Sequence, residues 1–180
     1  RLPQEGDNLT VMGNPIALLM KAVGMKPLEE AIFQTEADAI QCYTARFQDG
    51  ERLAAFRSPH NSPNNILHLH NVYSEKLSKY FPNLGQNIIV VNMIGTDAQA
   101  RASGMDEDSD FLYVTNQRDL ASLARKAYRK YPTIINGVKE LKTSGYHFTL
   151  EDYADMDNNI ADAQKSIGTS TDTAQLALSY

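Results

Sequence analysis

The chain has 180 residues, 42% of them hydrophobic and 22% charged, with a formal net charge of -5 and a pI near 5.3. This composition excludes global disorder and suits one domain with appended structure, while the acidic balance excludes a protein whose sole task is to coat nucleic acid. A single cysteine, Cys42, excludes an intrachain disulfide and a multi-cysteine zinc site and fits a reducing, cytoplasmic setting, and no apolar run approaches the ~20 residues of a membrane span, so no membrane contact is expected.

The start, Arg1-Leu2-Pro3-Gln4-Glu5, has no signal-peptide character and no initiator Met, which suggests a segment of something longer. Residues 1–14 are polar, with turn signals on either side of a short apolar piece, Leu9-Thr10-Val11-Met12. A helix is expected from Pro15, at a tolerated first-turn position, to Val23, with Gly24 closing it. A second short helix is expected over Pro27–Phe33. Strand formers follow in Ala39–Phe47 and Leu53–Phe56, separated by the Asp49-Gly50 turn signal. The two prolines and three asparagines of Arg57–Asn65 predict an ordered loop. Ile66–His70 is a strand candidate, Ser74–Phe81 a short helix, and Asn87–Met93 the clearest buried strand. Phe111–Thr115 is a further strand. Beyond Asn116 the character turns helical, over Gln117–Lys130, Leu150–Ile167 and Thr171–Ser179, with Gly168 dividing the last two. No internal repeat is visible.

The segment Gly104-Met105-Asp106-Glu107-Asp108-Ser109-Asp110-Phe111 carries the strongest chemical signal. Three alternating carboxylates repel one another when ionised. A hard divalent cation relieves that repulsion, and carboxylate oxygens are the ligands Mg²⁺ and Mn²⁺ prefer. A calcium loop of the EF-hand kind would need Gly at its sixth position and Glu at its twelfth. Phe111 and Gln117 stand there instead. A solvated acidic turn and a Mn²⁺-dependent Asp-x-Asp sugar transferase stay open, although the latter should show a nucleotide-binding α/β domain beforehand.

Ala102 to Val114 resembles the Ser-Gly-Gly-Asp-x-Asp-Gly-Asp segment of the RNA polymerases built on paired double-psi β barrels, the silencing RNA-dependent RNA polymerases in particular. Phe56-Arg57-Ser58-Pro59-His60-Asn61 resembles that family's Arg-x-Pro element, and Asn158 to Gly168 its helix after the barrel. Phage and prophage single-chain polymerases are the nearest resemblance. It implies an α+β fold, with a double-psi β barrel over 1–116 and a helical extension over 117–180. It further implies a magnesium-dependent nucleotidyltransferase of transcription, in which Asp106, Asp108 and Asp110 bind the metal and serve catalysis. The expected partners are NTPs, a DNA or RNA template with its RNA product, and a second barrel that supplies phosphate-binding lysines. Two departures stand out: Ser109 replaces the family's Gly, and Glu107 an apolar residue. A non-catalytic barrel that keeps only the fold is the rival reading.

Other residues carry weaker signals for substrate contact. The resemblance implies that Arg57 reaches the nucleotide or transcript end, and His60 shares its loop. Arg118, Arg125 and Arg129, with Lys126 and Lys130 beside them, share a helix face that either tracks a phosphate backbone or is simply solvated. His68 and His70 alternate on a strand without a third metal ligand nearby, so ordinary strand positions are expected. Lys76 and Lys79 fall on the expected surface helix. No spacing marks a covalent nucleophile.

Overall fold

The computed structural model describes residues 5–26, 32–135 and 145–180. The chain separates into two compact units, one ending at Ile134 and one beginning at Ile135. Most of the helix expected over Pro27–Phe33 lies outside the described residues.

Six strands close into a barrel: β1 (Asp7–Met12), β2 (Ile40–Tyr43), β3 (Arg52–Phe56), β4 (Ile66–Asn71), β5 (Ile88–Val91) and β6 (Phe111–Thr115). Their order around the barrel is β1-β5-β2-β4-β3-β6. The pairs β1/β5 and β2/β4 are parallel and the rest antiparallel. Successive strand side chains point to opposite faces, so each strand can send an i, i+2 pair inward. The pairs are Leu9/Val11, Ile40/Cys42, Leu53/Ala55, Leu67/Leu69, Ile89/Val91 and Leu112/Val114, all buried. Truncating one of the larger of these, such as Leu67 to Ala, should cost ~2–5 kcal/mol. Burial among them also pushes the Cys42 thiol well above its ordinary range, leaving it inert.

Exchanging β1 with β4, β2 with β5 and β3 with β6 leaves every pairing and its direction unchanged. The helices follow the same exchange: α1 (Pro15–Ala22) comes after β1 and α2 (Glu75–Tyr80) after β4. Ile16 and Met20 of α1 meet Leu77 of α2 in a second apolar cluster with Phe33 and Val90. Asparagine side chains act alike in both halves. Asn14 Oδ1 accepts the Met93 amide at 2.8 Å, and Asn71 Oδ1 accepts the Thr44 amide at 2.9 Å. The two halves thus repeat in three dimensions although the sequence shows no repeat.

Several expectations change at the element ends. The apolar piece Leu9–Met12 is part of β1, whose exposed Asn8 and Thr10 alternate with buried Leu9 and Val11. The strand expected over Ala39–Phe47 stops at Tyr43. There the Asn71 amide donates to the carbonyls of Thr44, Phe47 and Gln48 and folds the chain into a turn. The two C-terminal helices expected around Gly168 are one helix, α5 (Leu150–Leu178). A mid-helix glycine costs only about 1 kcal/mol, which the long flanking segments outweigh. Thr149 starts α5 by accepting the Asp152 amide at 3.1 Å, and no residue of α5 is buried. No helix among the described residues is long and apolar enough to cross a membrane.

Two more helices position the acidic segment: α3 (Ala98–Arg101) before it and α4 (Arg118–Lys130) after β6. The domain boundary expected after Asn116 would leave α4 with the helical extension. In the structure α4 packs on β3 and β4 through buried Ala121, Ala124 and Ala127 and belongs to the barrel unit. Alanines on that face let the helix approach the sheet closely.

Candidate metal centre

The acidic segment leaves α3 through Ser103 and Gly104, both at positive φ, with the Gly104 amide donating to the Gln99 carbonyl at 2.9 Å. Met105 then tucks into the barrel core at 1% exposure and anchors the segment. At its far end the Asp110 carbonyl accepts the Val11 amide of β1 at 2.8 Å, and β6 begins. Between these fixed points Asp106, Asp108 and Asp110 converge. One carboxylate oxygen from each lies within 4.8 Å of the others, and no other such group of three occurs among the described residues.

Octahedral Mg²⁺ binds oxygen at about 2.0–2.1 Å, which puts opposite ligands about 4.2 Å apart. That span falls within the 4.8 Å that encloses the three oxygens, so the donor set fits a small hard cation by both spacing and chemistry. Ser109 adopts φ 106°, a conformation that favours glycine and that brings Asp108 and Asp110 to the same side. Glu107 is held apart: its carboxylate lies against Gly13, where a Cβ would meet Oε1 at 2.0 Å.

Arg57 reaches this cluster from the end of β3. Its Nη2 donates to Asp110 Oδ1 at 3.0 Å and forms an ion pair with Oδ2 at 2.8 Å, and Nη1 donates to the Ala102 and Ser103 carbonyls at 3.2 Å and 3.1 Å. The Asp106 amide donates to Asp110 Oδ2 at 2.9 Å. Burial works against the Asp110 charge, but the hydrogen bonds from Arg57 and the Asp106 amide outweigh it and hold this carboxyl below its usual range. Asp108 shifts the other way, raised mainly by its hydrogen bond with Asp106 and by that neighbour's charge. Repulsion within the triad therefore falls on the outer pair, where a cation would relieve it.

The remaining residues singled out in the sequence lie elsewhere or are otherwise engaged. His60 packs edge-on to Phe56, and burial lowers its pKa toward a neutral ring. Arg125 and Arg129 pair with Asp38 at 2.7 Å and 2.9 Å. Arg118 lines a cleft beside Arg52, at the opposite end of β3 from Arg57. His68 is buried with Nδ1 on the Asp38 carbonyl, and His70 pairs with Glu36, so both are structural strand positions as expected. Arg101 was not anticipated. It is 3% exposed, donates to the Asn64 and Tyr131 carbonyls at 3.0 Å each, and lies 4.3 Å over the Tyr128 ring. It ties α3, and with it the acidic segment, to the Arg57 loop and α4. The Asp97 to Arg101 spacing of a helical ion pair was its one sequence signal.

No family model matches the chain, and no curated protein matches it. Among solved structures it is similar to "RNA dependent RNA polymerase QDE-1 from Thielavia terrestris", at 16% identity and a TM-score of 0.44, over 78% of this chain. The chain spans 13% of that polymerase's length.

Proposed function

We propose that this chain is the metal-binding barrel of an RNA polymerase, a nucleotidyltransferase adding NTP-derived units to an RNA 3′-hydroxyl on a DNA or RNA template. The observation that carries the reading is the convergence of Asp106, Asp108 and Asp110 at the mouth of a closed six-stranded barrel. The two-fold pattern of strand pairing, with its two parallel pairs, supports the double-psi assignment.

In this reading Asp106, Asp108 and Asp110 hold Mg²⁺ or Mn²⁺, which when bound supplies activation of the 3′-hydroxyl and charge neutralisation at the NTP phosphates. The carboxylates act as ligands and not as bases. Arg57 serves by holding Asp110 ionised and in one rotamer, and Met105 fixes the height of the segment above the core. The positive charge needed at the pyrophosphate leaving group, worth ~3 kcal/mol or more per donor, is assigned to a second barrel. The cytoplasmic setting belongs to the same proposal.

The test is Asp108→Ala in the enzyme completed by its second barrel. Transcript extension is expected to vanish while the thermal melt is unchanged or raised, because an exposed like charge has been removed. Retained synthesis would show that these carboxylates are not the catalytic ligands.

A further inference from the structure

A second cluster of charge lies about 17 Å from Arg57, at the start of β3, judging by the rise of an extended strand. It is a cleft of about 440 Å³ whose lining includes Glu51, Arg52, His68, Asn116, Arg118 and Arg125. Three guanidinium groups thus face one carboxylate. Glu51 is itself engaged, accepting from the Asn116 side chain at 3.0 Å and from the Gln48 amide at 2.8 Å. Arg52 and Arg125 each spend donors on a carboxylate outside the cleft, Glu36 at 2.8 Å and Asp38 at 2.7 Å. Those pairings fix the two side chains, and a guanidinium has five N–H donors in all, so several remain. Arg118 and Arg125 are both exposed, two turns apart on one face of α4.

We propose that this cleft binds the phosphates of a nucleic-acid strand. Guanidinium is the side chain best matched to phosphate, through two parallel hydrogen bonds. Along the same face, Arg118 and Arg125 together with Arg129, which lies beyond the cleft and like Arg125 pairs with Asp38, form a line of ~16 Å at the rise of an α-helix. A line of that length suits a chain of phosphodiesters better than one free phosphate. The site stands on its own geometry and needs neither the metal centre nor the polymerase reading.

The experiment is fluorescence anisotropy of a labelled single-stranded RNA with the full chain, in EDTA, across a range of KCl concentrations. Arg118→Gln is expected to weaken binding several-fold at about 50 mM salt and to lower the slope of log affinity against log salt by ~0.7. Lys126→Gln removes the same charge from the same helix outside the cleft and should change affinity less than about two-fold. EDTA keeps divalent cations from the acidic segment throughout, so that failure of the metal reading and failure of this one are separable. Arg118 is exposed, and unchanged melts would show that the variants fold. Equal losses from Arg118→Gln and Lys126→Gln would mean diffuse attraction and overturn the site, as would no loss from Arg118→Gln. Displacement of the RNA by inorganic pyrophosphate at matched phosphate concentration would overturn the strand assignment in favour of a small polyphosphate.

Discussion

Ser109 gives a sharp test of how the acidic segment is built. Its φ of 106° is one that a side chain with a Cβ adopts at a cost of about 1–2 kcal/mol. Ser109→Gly removes that cost but adds backbone entropy to the unfolded chain, worth about 0.5–1 kcal/mol in the other direction. The balance is a stabilisation of ~0.5–1 kcal/mol, or a rise of roughly 2–5 °C in Tm for a domain of this size. The matched control is Ser62→Gly. Ser62 has φ -154°, extended backbone that any residue adopts, and makes no side-chain cap bond. The control should therefore show the entropy cost alone and fall by ~0.5–1 kcal/mol. Thermal and urea melts of both variants against the unaltered protein decide the matter. If Ser109→Gly falls as far as Ser62→Gly, the strained conformation at 109 is wrong, and with it the account of how Asp108 and Asp110 come to converge.

Two further outcomes follow from named ion pairs. Burial raises the Glu36 carboxyl, but hydrogen bonds from His70, Gln41 and Arg52 overcome it and hold the pKa at about 2, against an ordinary 4.5. With the folded value below the unfolded one, the stabilisation is fully present above about pH 4.5 and disappears as pH falls toward 2. It amounts to ~2–3 kcal/mol after allowance for partial exposure, and urea melts of Glu36→Gln should lack that part of the pH dependence. Arg57→Ala strips a mostly buried carboxylate of its partner and should cost ~2–4 kcal/mol in a urea melt. Arg57→Lys should recover only part, since one ammonium cannot span Asp110 and two carbonyls; a loss below ~0.5 kcal/mol for Arg57→Ala would remove the positioning role.

Much of the barrel was legible because its strands are short and β-branched or alternating. Ile88–Val91 and Phe111–Thr115 were plain for that reason, and Arg118–Lys130 for its helix formers. β1 was not, because Asp7, Asn8 and Thr10 face outward and dilute its two apolar positions. Strand ends escaped for a different reason: they are set by the side chains of Asn14 and Asn71, each acting on a strand distant in sequence. The candidate metal centre was readable from carboxylate spacing alone. What Arg57 touches was not, since its contacts lie 45 to 53 residues away. Nor was the engagement of Arg125 and Arg129 by Asp38, 87 and 91 residues away. A helix face reveals which charges stand together but not which partner from another element already holds them.

Mn²⁺ titration followed by paramagnetic broadening of amide signals shows whether Asp106, Asp108 and Asp110 bind a divalent cation. A site that leaves part of its coordination to substrate phosphates should bind at ~millimolar concentration. Broadening is expected first at Met105 to Phe111, then at Val11 and Arg57, whose backbone or side chain touches Asp110, and Asp108→Ala should abolish that focus. The other acidic stretch, Glu151, Asp152, Asp155 and Asp157 of α5, serves as an internal comparison. Broadening spread evenly over both stretches, or centred on α5, would contradict the account.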